Sequence, residues 1–122
     1  MKILITGVCG FIGFNLANKF LNDNPKHEIY GLDNFDKYYS VALKKKRLDI
    51  LKLNKRFFFE KINITQKKQL KKYFSNKKFD YIIHLAAQAG VRYSLINPKK
   101  FIDVNLIGYL NILEEIENNK PK

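Results

Sequence analysis

Apolar residues along the 122-residue chain fall into short continuous runs, each followed by a stretch in which they recur every three or four positions. The first run, Ile3-Leu4-Ile5, is brief and β-branched, as suits a strand buried on both faces. Gly7, Gly10 and Gly13 interrupt it. Ile12, Leu16, Phe20 and Leu21 then fall on one helical face, with Asn15, Asn18 and Lys19 off it. His27 to Asp33 predicts a second strand. Val41, Leu43, Leu48, Leu51 and Leu53 mark an amphipathic helix that carries the run Lys44-Lys45-Lys46-Arg47. Arg56 to Glu60 predicts a third strand, and its three consecutive phenylalanines require burial between two helix layers. A lysine-rich helix passes through Leu70, Tyr73 and Phe74, and a fourth strand spans Phe79 to Leu85. The last segment opens at Pro98, suited to a helix first turn. From Leu106 to Leu113 it is apolar nearly all round, so it expects cover on more than one side.

Strands alternating with helices predict an α/β fold, a Rossmann-type doubly wound parallel sheet with right-handed crossovers. The expected strand order is 3-2-1-4, a sheet truncated after about four strands. The fourth strand is then an open edge, apolar and free of proline, of the kind that recruits other chains. Such a chain is expected to be poorly stable alone. Its length allows one domain, and no internal repeat or low-complexity linker divides it.

A net charge of +12, from 23 Lys and Arg against 11 Asp and Glu, raises the question of a nucleic-acid partner. The lysines are scattered, largely as pairs, and Lys44 to Arg47 reads as a solvated helix face, so no nucleic acid is expected. No charged leader or long apolar span points to export or a membrane, which leaves a cytoplasmic protein as the expectation. Cys9 is the single cysteine. It excludes an internal disulfide, fits a reducing compartment, and reads as a small residue filling a tight loop rather than a reactive thiol. No metal site is expected.

The chemistry begins at the glycines. A strand, a tight turn and a helix in register expose unpaired N–H groups and a positive helix end, a ready site for pyrophosphate. Asp33 ends the second strand twenty residues after Gly13, the usual reach from such a turn to a ribose-binding carboxylate. A carboxylate there repels a 2′-phosphate, so NAD is expected over NADP. Ligands of such sheets bind at the carboxyl ends of the strands. Gly7 to Gly13, Asp33-Asn34, Asn63-Ile64 and Leu85-Ala86-Ala87-Gln88 should therefore converge. His84 reads as a packed, hydrogen-bonded histidine. Asn105, polar inside an apolar helix, needs a partner, either local backbone or a nicotinamide ribose.

These residues resemble the N-terminal part of the extended short-chain dehydrogenase/reductases, the nucleotide-sugar epimerases and dehydratases. The pieces are Thr6 to Gly13, Asp33-Asn34, His84-Leu85-Ala86-Ala87 and Asn105-Leu106-Ile107-Gly108. Asp33 to Tyr39, continuing to Leu43-Lys44 and Arg47-Leu48, and Gln88 to Ser94 look like UDP-glucuronate 4-epimerases. The resemblance implies that Phe11 and Ile12 give N–H groups to the pyrophosphate. It places Asp33 and Asn34 on the adenosine ribose, Leu85, Ala86 and Ala87 along the dinucleotide, and Asn105 nearby. Arg92 and Ser94 would lie beside the nicotinamide and the sugar nucleotide. Asn63 stands where the family carries aspartate, and its amide oxygen is expected to accept from the adenine amino group, with weaker binding but unchanged geometry.

The implied activity is transient oxidation at C4 of a UDP-sugar by bound NAD, in a protein that is a homodimer when full-length. The alternatives are a UDP-glucose 4-epimerase, a dTDP-glucose 4,6-dehydratase or a non-catalytic dinucleotide-binding module. The family's Tyr-x-x-x-Lys pair lies after a fifth strand. One such pair occurs here, Tyr73 and Lys77, in the crossover before the fourth strand, and it reads as a decoy. The chain as given is therefore expected to hold the cofactor weakly and to catalyse nothing.

Overall fold

The computed structural model describes all 122 residues. Four parallel strands, β1 (Lys2–Thr6), β2 (Glu28–Asp33), β3 (Phe57–Lys61) and β4 (Tyr81–His84), form one sheet in the order β3-β2-β1-β4. Between them run α1 (Phe11–Asp23), α2 (Val41–Lys52) and α3 (Lys67–Phe74). After β4 come α4 (Val91–Ile96) and α5 (Pro98–Phe101), a π-helical stretch Ile102–Gly108, and α6 (Tyr109–Asn119). This is the expected doubly wound fold, with its strand order.

Alternation along each strand sends successive side chains to opposite faces. Ile3, Ile5, Ile29 and Phe57 meet Ala17 and Leu21 of α1 and Leu48 and Leu51 of α2. Leu4 and Leu32 meet Leu70, Tyr73 and Phe74 of α3 and Ile112 of α6. The helix layers thus divide as α1 with α2, and α3 with α6. The fourth strand is shorter than its apolar run. Asp80 N–H still bonds Lys2 O at 2.8 Å and Leu85 N–H bonds Thr6 O at 3.2 Å, so pairing with β1 continues beyond both ends.

Three packing expectations need correction. The inner stripe of α1 is Gly13, Ala17 and Leu21, while Ile12 is 66% exposed. Small residues let this helix lie close to the sheet, and that rotation turns Ile12 outward. In α2 the buried positions are Lys44, Leu48 and Leu51, while Leu43 and Leu53 face solvent. Of the three phenylalanines only Phe57 is buried. Phe58 stacks on Tyr30 at 4.8 Å but keeps 44% of its surface open, because β3 is the edge strand.

Arg56, just before β3, closes the end of α1. Its guanidinium donates to the carbonyls of Leu21 (2.6 Å), Asn24 and His27 (2.8 Å each). The Leu21 carbonyl is left open by the helix end, those of Asn24 and His27 belong to the turn that follows, and a planar cation with five donors satisfies all three together. Arg56→Ala should lower stability to denaturant by about 2–3 kcal/mol. Arg56→Lys should recover less than half of that loss, since an ammonium cannot span the same carbonyls.

Candidate functional site

The carboxyl ends of all four strands share one edge of the sheet, and there the predicted segments meet, each hydrogen-bonded to the next. Gly7 and Val8 N–H reach Leu32 O, Ile62 N–H reaches Asp33 O, and Leu85 and Ala86 N–H both donate to Thr6 Oγ1 at 3.1 Å. The rim is one connected structure.

At its centre is the β1–α1 turn. Gly7 sits at φ +70°, and a Cβ there would meet Ala86 N at 2.8 Å and Leu85 C at 2.9 Å. A Cβ on Gly13 would run into the Gly7 carbonyl oxygen and lie 2.9 Å from Val8 Cα. Neither position tolerates a side chain. The turn leaves the N–H groups of Phe11, Ile12 and Gly13 with no partner in the chain, at the start of a 13-residue helix without a side-chain cap. Phe11 (72%) and Ile12 (66%) stand exposed beside them. Three free donors at a positive helix end, flanked by uncovered apolar surface, form a cradle for an anionic, partly apolar group such as a dinucleotide.

Asp33 is 6% exposed, and its carboxylate is held in place from both sides. Oδ2 accepts from Cys9 N–H at 3.0 Å and Oδ1 from Phe35 N–H at 2.9 Å, which leaves each oxygen further acceptor capacity. Asn34 Oδ1 accepts from Asp36 N–H and shapes the following turn. Cys9 is fully buried, and burial, with Asp33 beside it, pushes its thiol up to about 12. It fills the loop as a neutral group.

Thr6, which sequence reasoning left out of the site, organises the β4 side. Its hydroxyl accepts from Leu85 and Ala86 N–H and lies 2.7 Å from His84 Nδ1. With its oxygen so used, the hydroxyl proton goes to Nδ1, which makes His84 the neutral Nε2–H tautomer. Its ring stacks on Tyr109 at 5.4 Å, and burial holds its pKa below the ordinary value. Asn105 bonds neither its own helix nor an open cleft. Its amide pairs with the Gln88 backbone, Oδ1 accepting at 2.8 Å and Nδ2 donating at 3.0 Å, and so fixes the 85–88 strip. Gln88 is buried, whereas Ala87 and Arg92 are exposed, and Ser94 Oγ donates to Val91 O within α4.

Lys44 and Arg47 do not lie on a solvated face. Lys44 is 8% exposed and donates to Asp36 O at 3.0 Å. Arg47 donates to Cys9 O at 3.2 Å, with its guanidinium carbon 5.9 Å from the centre of the Phe11 ring. Both cations brace loops of the rim. A second brace crosses from the β2 side to the β4 side, where Lys100 pairs with Asp36 at 2.7 Å and the Tyr38 and Tyr93 rings lie 5.0 Å apart. Asp36 is correspondingly held below the ordinary carboxylate range by Lys100 and the Tyr38 N–H, against the opposing effect of burial.

Asn63 departs from expectation. Its Oδ1 already accepts from Thr65 N–H at 3.1 Å and Thr65 Oγ1 at 3.0 Å, so both lone pairs are engaged within the loop. Ile64 O is held by the buried Asn111 at 2.9 Å, a second residue that sequence reasoning missed. Tyr73 is 7% exposed and packs against Phe74 and Phe79, with Lys77 Nζ 4.2 Å from the centre of its ring. It closes α3 at the opposite end of the sheet from the glycine turn. Burial raises its pKa, so it is a core phenol remote from the rim.

A family model described as GDP-mannose 4,6 dehydratase matches residues 4–122. The chain is 41% identical over 122 residues to a probable UDP-glucuronate 4-epimerase of Rhizobium meliloti, covering all of this chain and 35% of that protein. It is 43% identical over 111 residues to a UDP-glucuronate 4-epimerase of Thermodesulfobacterium geofontis, covering 91% and 34% respectively. The crystal structure of a UDP-glucuronic acid 4-epimerase mutant from Bacillus cereus, in complex with UDP-4-deoxy-4-fluoro-glucuronic acid and NAD, superposes with TM-score 0.89 at 32% identity. It covers 100% of this chain and 38% of that one. The chain spans about a third of the length of the curated relatives it matches.

The neutral state of His84 gives a pH dependence. Its folded pKa is below the ordinary value of about 6.5, so the unfolded chain takes up a proton first as pH falls. Stability from this group is complete above that value and declines below it, toward the lowered folded pKa. In denaturant titrations from pH 7.5 to 5, His84→Asn should flatten that acid limb.

Proposed function

The chain belongs to the GDP-mannose 4,6 dehydratase family, and on that premise we propose that it is the cofactor-binding part of an NAD-dependent nucleotide-sugar epimerase acting on UDP-glucuronate. The observation that carries the reading is the cradle of free Phe11, Ile12 and Gly13 N–H groups, in one rim with the buried Asp33 carboxylate. The sequence likeness to UDP-glucuronate 4-epimerases supports the choice of sugar.

In this reading residues 1–122 are the N-terminal part of an NAD-binding Rossmann domain, and the catalytic and substrate-binding portion stands outside them. Phe11, Ile12 and Gly13 would hold the pyrophosphate, with Gly7 and Gly10 shaping the turn. Asp33 would accept from the adenosine ribose hydroxyls, with Asn34 beside it. Asn63 and Ile64 would meet the adenine. Leu85, Ala86, Ala87 and Gln88 would line the dinucleotide, held by Thr6 and Asn105. Arg92 and Ser94 belong to the sugar-nucleotide side, Arg92 as an exposed cation free to meet a phosphate or carboxylate. When bound, NAD supplies a hydride acceptor and donor for transient oxidation at C4 of the sugar. The chain's contribution is to fix and orient that cofactor.

The exposed apolar residues Leu95, Leu106, Leu110 and Leu113 support association into a homodimer in the complete protein. We assign it to the cytoplasm, in keeping with its single buried thiol. No helix is long and apolar enough to cross a membrane.

Two experiments test the proposal. The complete protein should bind NAD more tightly than NADP, and Asp33→Ser should narrow the difference; equal or tighter NADP binding by the native sequence would remove the role given to Asp33. The complete protein should also interconvert UDP-glucuronate and UDP-galacturonate, while residues 1–122 alone should show no turnover. Activity confined to UDP-glucose, or dehydration of a dTDP-sugar, would move the protein to another branch of its family.

A further inference from the structure

We propose that Asn63 presents a hydrogen-bond donor where the base of the dinucleotide is read, so that the native chain barely distinguishes a 6-aminopurine from a 6-oxopurine. The inference rests on the dinucleotide reading of the rim and concerns its base end.

The loop after β3 is anchored beside Asp33, since Ile62 N–H bonds Asp33 O at 3.2 Å. Its carbonyl at Ile64 is held by Asn111. Within that fixed frame the Asn63 carboxamide has one allowed orientation. Thr65 presents two donors to it, a backbone N–H and a hydroxyl, and both land on Oδ1. Turning the amide over would oppose the Thr65 N–H with another donor. The arm left over is therefore Nδ2, whose two N–H groups have no partner in the chain. The backbone N–H of Ile64, next along the loop, is also without a partner. The segment offers two donors in succession.

An adenine edge shows an acceptor at N1 and a donor at the 6-amino group, so one of its two positions meets a donor with a donor. A hypoxanthine edge shows a donor at N1 and an acceptor at O6, and again one position is matched and one opposed. Neither base satisfies the segment. An aspartate at 63 would change this: one oxygen would keep the Thr65 bonds and the other would accept from the amino group. The edge would then complement adenine at both positions and oppose hypoxanthine at both. Asn63 is thus a specificity-determining residue that relaxes base selection.

The test compares dissociation constants of NAD and its deamino form, which carries hypoxanthine, by calorimetry on the complete protein with Asn63 and with Asn63→Asp. Both ligands carry the same phosphates, so the charge introduced by the aspartate cancels in the ratio. The native protein should hold the two within about threefold, and Asn63→Asp should favour NAD by about tenfold or more, the size of a mismatched polar pair in a binding site. A native preference for NAD above tenfold that Asn63→Asp leaves unchanged overturns the inference. If neither dinucleotide binds the native protein, the dinucleotide reading itself fails, and the inference with it.

Discussion

The structure depends on backbone meeting backbone at the start of α1. Gly13 lies over the Gly7 carbonyl with no space for a Cβ, and Gly7 lies against Leu85 and Ala86 under the same restriction. This contact sets how near α1 comes to the sheet. Nearness brings Ala17 and Leu21 into the core and turns Phe11 and Ile12 out. It also leaves the first N–H groups of the helix with nothing of the chain to satisfy them. A methyl group at either glycine would lift the helix, loosen the core beneath it and close the cradle together. Packing and ligand chemistry are here one geometric condition.

The rim around that turn is stiffened by groups that carry no chemistry of their own. Thr6 is fully buried, and one hydroxyl serves two backbone N–H groups and a histidine. Asn105 and Asn111 each use a carboxamide to pin a loop from a distant part of the sequence. Lys44 and Arg47 spend their charge on carbonyls at 3.0 and 3.2 Å. Buried polar groups need partners, and here the partners are loop backbones at the carboxyl ends of strands. The π-helical stretch Ile102–Gly108 carries Asn105 and leads directly into α6, which carries Asn111. One continuous helical segment thereby holds both the 85–88 strip and the 63–65 loop.

Most of the fold was legible because it is written in local patterns. The 3-4 spacing of apolar residues, the short β-branched runs and the glycines at 7, 10 and 13 each report on a few neighbouring residues. Their alternation implied a parallel sheet, and the glycine turn with Asp33 pointed to the Rossmann strand order. The Asp33 carboxylate was legible by its interval from Gly13, since strand and helix lengths fix that reach. What escaped were partnerships set by tertiary contact. Lys44 looked solvated because its stripe holds three more cations, and the carbonyl of Asp36 that receives it is visible in three dimensions alone. Asn63 looked like a substitute acceptor, since its neighbour Thr65 claims the oxygen through loop geometry that composition does not reveal. Thr6 gave the best available signal among the missed residues, a hydroxyl at the end of a buried apolar strand immediately before the glycine turn. A polar group in such a position has to be satisfied, and that requirement alone marks it.

The positive charge of the chain also takes on a different meaning once positions are known. At +12 the molecule repels itself, which opposes compaction and favours anionic partners at a distance. Three cations of the rim loops, Lys44, Arg47 and Lys100, are bound to carbonyls or to Asp36, so their charge is fixed in direction. An anion approaching the start of α1 would meet free N–H donors with the braced Arg47 beside them. A duplex or single strand would need cations free to track its phosphates along an extended surface. Here those three are occupied, and the remaining lysines are dispersed over the strands, the helices and the connecting loops. In place of such a surface, Arg47 is held against the Cys9 carbonyl and the Phe11 ring, next to the free N–H groups of α1.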